Sequence, residues 1–156
     1  VCGTVMSRLD PNDKWTRTGM YCQAQCHGVG RGHLAYYQAL ECEGLLTFIK
    51  CTEDLDASIA AWQDPAADTP FGLILCMESA DPIIDANDVG WWWDAGLRVV
   101  GPAHFGHNTY IHGTFTEGGL KPPAKPLYEA MRQAGMILDI THMALKCTEK
   151  TTPDCR

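Results

Sequence analysis

Three short runs, FGLILCM (71–77), LRVVG (97–101) and MILDI (136–140), are almost wholly apolar instead of alternating apolar with polar residues. A strand wetted on one face alternates, whereas a strand that stays apolar is covered on both faces, the usual state of a parallel strand in an α/β fold. The segments between them read as helices. DANDVGWWWDAG is capped by Asp85 and closed by Gly96, and AKPLYEAMRQAG follows a long Gly/Thr/His-rich loop, HFGHNTYIHGTFTEGGLKPP. Upstream, VCGTVM is a short apolar opening and SRLDPNDKW a turn-rich stretch. A segment over about 18–43 has helical spacing in HLAYYQALE, with its middle weakened by glycines 28, 30 and 32. GLLTFIK (44–50) is a candidate strand, and Thr52 starts a helix with acids in its first turn, where the helix dipole favours them. Strands separated by helices predict an α/β fold with a parallel sheet flanked by helices, formed by residues 1–156 as one domain.

Composition narrows the partners. Lys+Arg 12 against Asp+Glu 19 leaves a net charge of -7 and a pI near 5.2, which repels phosphate backbones and anionic lipid. Nucleic acid and membrane surfaces are therefore not expected partners. No apolar stretch approaches the ~20 residues that span a bilayer, and VCGTVMSRLD lacks the basic and long apolar regions of a signal peptide. The chain reads as soluble, with the cytoplasm slightly favoured, although Val1 in place of a methionine leaves a preceding leader open.

The eight cysteines (2, 22, 26, 42, 51, 76, 147, 155) are scattered through apolar segments and read as mostly reduced, with Cys76 buried in its strand. Cys147 and Cys155 are the pair best placed for oxidation. CQAQCH offers Cys22, Cys26 and His27 as a ligand cluster, but its spacing is neither that of a zinc ribbon nor that of a haem site, and packing on one helix face is the plainer account. GVGRG (28–32) lacks the strand-to-helix setting of a phosphate loop. Trp91, Trp92 and Trp93 point to different faces of a helix, and most of them read as packing against the sheet. His107 and His112 read as solvent-exposed loop residues.

The candidate chemistry lies at the strand ends. FGLILCM is followed by Glu78, LRVVGPA by His104 and MILDIT by His142. All three leave the carboxyl ends of parallel strands, the edge at which α/β folds build their sites. One carboxylate and two imidazoles are zinc-type ligands.

The motifs CMESADPI, GLRVVGPAHFG, EGGLKP and GMILDITHM, in that order, resemble the membrane dipeptidase (renal dipeptidase) family of metallopeptidases, especially its microbial branch. The resemblance runs over about residues 1–145 and is loose in the first 60. It implies part of a (β/α)8 TIM-type barrel, about strands two to five, with a site for two Zn²⁺ ions that hydrolyses dipeptides. By position it implies that Glu78 bridges the two metals and His142 binds the second. His104 corresponds to the residue that contacts the substrate and its tetrahedral intermediate, and Asp139 to support for the loop that carries His142. The family's His-x-Asp of the first strand occurs nowhere in the chain, its later ligands would lie beyond Arg156, and ALKCTEKTTPDCR turns polar where the family continues into a helix. The readings are thus a zinc dipeptidase represented by a portion of its barrel, an inactive divergent fragment or subunit that needs a completing chain or a second copy, and a cysteine-rich metal-binding module.

Overall fold

The fold is described from a computed structural model that covers residues 1–9, 19–64 and 68–151; most of SRLDPNDKW, and Cys155, lie outside the described residues. Its spine is β5 (Phe71–Glu78). β1 (Cys2–Met6) lies parallel to Ile74–Glu78, and β4 (Leu46–Phe48) to Phe71–Leu73. β6 (Leu97–Gly101) pairs with the end of β5 across a register shift between Leu75 and Cys76, and β7 (Ile137–Leu138) pairs with Val99 and Val100 of β6. Two further short strands, β2 (Arg8–Leu9) and β3 (Gly19–Met20), form a separate parallel ladder. Five strands thus make one parallel sheet. The helices are α1 (Gln23–Cys42), α2 (Thr52–Ala61), α3 (Val89–Asp94), α4 (Ala124–Ala134) and α5 (Leu145–Thr151). A 3-10 turn, Ala86–Asp88, leads into α3, and Asp85 caps it by accepting the Asn87 amide at 2.7 Å.

Alternate residues of the strands face the helices and form the core. Leu73, Leu75 and Met77 of β5, with Val5, Leu97 and Val100, pack against Leu34, Trp92, Leu127 and Met131. Trp92 is fully buried and donates its indole N–H to Asp88 at 3.0 Å. Its neighbours cover the surface, Trp91 beneath the Arg31 guanidinium at 3.4 Å and Trp93 beneath that of Arg98 at 3.7 Å.

The opposite sheet face departs from the two-sided burial expected of apolar strands. Cys2 and Thr4 are exposed, Cys76 and Val99 are half-buried, and Ile137 is 61% exposed. This is the face that would line the interior of a closed barrel, and five strands do not close one. Cys76 is therefore less covered than expected. Partial burial and the neighbouring Cys2 push its thiol up to about 12, so it holds little reactive thiolate at neutral pH.

Two helices also differ from expectation. The polar tail after His142 does form a helix, α5, because Cys147 anchors it: that side chain is buried and approaches the carbonyls of His112 and Gly118 at 3.5 and 3.6 Å. α1 runs unbroken through its three glycines. A Cβ on Gly30 would stand 2.7 Å from Pro82 Cβ, so the missing side chain is what lets α1 approach the loop after β5. Gly28 and Gly32 meet nothing.

The three glycines should therefore respond with opposite signs. In urea denaturation, Gly28→Ala and Gly32→Ala are expected to stabilise by about 0.5–1 kcal/mol, the helix-propensity gain. Gly30→Ala is expected to destabilise by roughly 1–3 kcal/mol through overpacking.

Candidate metal centre

β5, β6 and β7 are neighbours that run in the same direction, so the segments following them rise from one edge of the sheet. Glu78 ends β5, His104 stands three residues past β6, and His142 follows a turn after β7. Asp139 braces that turn: its amide bonds to the Val100 carbonyl at 2.9 Å, and its carboxylate accepts the Thr141 amide at 2.9 Å. The three expected site residues meet. Glu78 Oε1 lies 3.2 Å from His104 Nε2 and 3.1 Å from His142 Nε2. Among the described residues, theirs is the one group of three or more His, Cys, Asp or Glu side chains whose donor atoms converge, all within 4.8 Å of one another.

Donor spacing tests whether a metal fits. Donors about 2.0–2.1 Å from a tetrahedral ion stand roughly 3.3 Å apart. The two carboxylate–imidazole separations match that edge, and two imidazoles with one carboxylate suit a divalent ion of the zinc type. The imidazoles differ in their support. His142 Nδ1 lies 3.4 Å from the Thr114 hydroxyl, while His104 Nδ1 is buried with no hydrogen-bond partner among the described residues. A metal-binding histidine is ordinarily oriented through its second nitrogen, which suits His142 better than His104.

Beneath the site lies a polar network. Asp81 and Asn108 have no solvent exposure. The Asp81 carboxylate accepts the Leu9 amide at 2.6 Å, the Thr109 amide at 2.7 Å and the Ser79 hydroxyl at 2.9 Å. The Asn108 side-chain oxygen is 3.0 Å from the same hydroxyl and accepts the His104 amide at 3.1 Å. Gly113 packs so tightly beneath His104 that a Cβ there would lie only 1.8 Å from the His104 carbonyl oxygen. Asp81 and Asn108 are absent from the sequence-based candidates. The signal was thin: a carboxylate before a proline and an asparagine between loop residues both look like ordinary turn chemistry.

The other candidates do not assemble. Cys22 is exposed at the start of α1, whereas Cys26 is buried, its thiol pushed up to about 11 by desolvation. His27 lies 2.8 Å from the Pro82 carbonyl and 3.6 Å from Asp88. The cysteine-based cluster is therefore not formed among the described residues. His107 is exposed as expected, but His112 is half-buried, with its Nδ1 enclosed.

The fold is shared with metallopeptidases and an amidohydrolase. A metallopeptidase from Rhodobacter sphaeroides, liganded with a phosphinate mimic of the dipeptide L-Ala-D-Ala, matches with a TM-score of 0.77 at 17% identity, over 95% of this chain and 47% of that one. An amidohydrolase from Pseudomonas aeruginosa matches at 0.73 and 16% identity, over 96% and 40%. A probable dipeptidase from the same organism matches at 0.69 and 18%, over 82% and 34%. The expected architecture, part of a TIM-type barrel, is thus the one found, and the chain spans less than half the length of these proteins. No protein-family model and no curated protein matches the sequence. Among the described residues no helix is long and apolar enough to cross a membrane.

The network and the imidazoles each generate a test. Asp81→Asn replaces one carboxylate oxygen with a donor that faces a donor, and is expected to cost about 1–3 kcal/mol of stability in urea denaturation. His104 titrates below its ordinary 6.5, chiefly through burial, with His142 and Arg8 adding to the effect and Glu78 opposing it. His112 is lowered too, by burial, then Lys121 and His107. The folded state binds these protons less tightly than the unfolded one, so their stabilisation is full above 6.5 and is lost as the pH falls through that value towards the lowered ones. The urea midpoint is expected to drop between pH 7.5 and 5.5, and His112→Gln to flatten that dependence.

Proposed function

We propose that this chain is a portion of a zinc-dependent dipeptidase and carries part of its two-metal site. The observation that supports this most is the convergence of Glu78, His104 and His142 at the carboxyl edge of adjacent parallel strands, in a fold shared with metallopeptidases. Glu78 is assigned to bridge the two metals and His142 to bind the second, held by Thr114. When bound, zinc lowers the pKa of a water and polarises the scissile carbonyl.

His104 is assigned to the substrate. Its depressed basicity keeps the imidazole neutral at pH 7. With its proton on Nε2, it donates to the carbonyl oxygen as negative charge develops there. The Asn108 side chain holds the His104 backbone, and the Asp81 network fixes the residue next to Glu78, so both groups keep their positions as charge shifts.

A second reading is favoured by the chain's share of its structural neighbours, 40% and 47% of the first two, and by the absence of His-x-Asp: a subunit or portion that is inactive until further polypeptide completes the barrel. The readings differ in a measurable way. Calorimetric titration with Zn²⁺ is expected to give binding that weakens by more than about tenfold in Glu78→Gln and in His142→Ala, since each zinc needs about four donors. No turnover of dipeptides is expected from these 156 residues alone. Zinc binding unaffected by both substitutions would overturn the site assignment, and Glu78-dependent turnover by the isolated chain would overturn the need for completion.

A further inference from the structure

Among the described residues, three other than glycine have a positive φ: Ser79 at 71°, Phe115 at 66° and His142 at 65°. Bulky side chains rarely adopt this conformation, and it persists only where surrounding contacts enforce it, commonly at functional sites. Ser79 follows Glu78, and His142 is itself a site residue. Phe115 has no such role, yet its loop is held firmly. The Thr114 amide bonds to the His142 carbonyl at 2.8 Å, the Gly106 amide to the Thr114 carbonyl at 2.9 Å, and the Thr116 hydroxyl to the Gly113 carbonyl at 2.7 Å.

This conformation leaves Phe115 92% exposed. Its ring stacks on Phe105 with centroids 5.6 Å apart and planes 13° from parallel. Phe105 in turn packs edge-on against His104 at 4.5 Å and at a tilt of 53° against His142 at 4.8 Å. The two rings therefore make a continuous apolar ledge that begins at the imidazoles and ends in solvent.

We propose that the Phe105–Phe115 ledge receives an apolar side chain of a bound dipeptide and makes the site prefer apolar over acidic residues. The inference rests on the dipeptidase reading. A molecule whose backbone lies against the imidazoles has its side chains within reach of the ledge, and burying an apolar side chain there also covers Phe115. A carboxylate laid on the same apolar rings would lose its hydration, so the ledge disfavours it.

The test uses three phosphinate dipeptide mimics, alike except for one side chain: isobutyl, carboxymethyl or aminobutyl. Their affinities for the Zn²⁺-loaded chain are measured by calorimetry in the wild type, Phe115→Ala and Phe115→Tyr. Phe115→Ala is expected to weaken the isobutyl probe about fivefold to tenfold and to leave Zn²⁺ and the carboxymethyl probe within about twofold, while Phe115→Tyr keeps isobutyl affinity. Equal loss for all probes, or no loss, overturns the ledge while leaving the dipeptidase reading intact. Greatest loss for the aminobutyl probe overturns the apolar assignment in favour of a cation. A Zn²⁺-loaded wild type that binds none of the mimics overturns the ledge, whereas Zn²⁺ binding that depends on neither Glu78 nor His142 overturns the dipeptidase reading.

Discussion

A carboxylate with no solvent exposure must have its charge met inside the fold, and Asp81 sets the arrangement of the site edge for that reason. Its donors come from different places: Leu9 beyond β1, Ser79 directly after β5, and Thr109 in the loop after β6. None of these segments can shift without leaving a buried charge short of a hydrogen bond. Ser79 passes the constraint to Asn108, and Asn108 passes it to the His104 amide. The separation of Glu78 from His104 is thus supported by contacts that involve neither of their side chains.

The strand-end pattern was the legible part. Continuous apolar runs identified β5 and β6, and the residues just beyond the strands gave Glu78, His104 and His142, which the structure brings together. A continuous apolar run and a strand end are local properties, so one sequence suffices to read them. Asp81, Asn108 and the positive φ of Phe115 are consequences of several loops meeting, and no local pattern distinguishes them from turn residues. The partial exposure of Cys76 escaped for a related reason. Apolar residues on both faces of β5 record what covers the strand in a closed barrel, whereas exposure depends on how many strands are present. For α5, a polar stretch concealed one buried anchor, Cys147.

The electrostatics of the site follow from partial burial. Desolvation lowers the basicity of His104 although Glu78 lies 3.2 Å away, so loss of water outweighs attraction to the carboxylate. A neutral imidazole is a ligand or a hydrogen-bond donor, whereas a protonated one would only form an ion pair with Glu78. The fold thus keeps the group in the form that suits either role, and leaves Glu78 more exposed than its two neighbours.

The pairing of β1 with β5 also bears on the order of assembly. Val1 donates to the Gly72 carbonyl at 2.7 Å, and β1 lies along Ile74–Glu78. The β5 partner of β1 is therefore synthesised some seventy residues after it, once α1, β4 and α2 have emerged. Long-range pairing of this kind bears its loop-closure entropy before any contact offsets it, which makes folding slow relative to chains built from local contacts. Val5 gains the cover of Leu75 and Met77 only once β5 has been made.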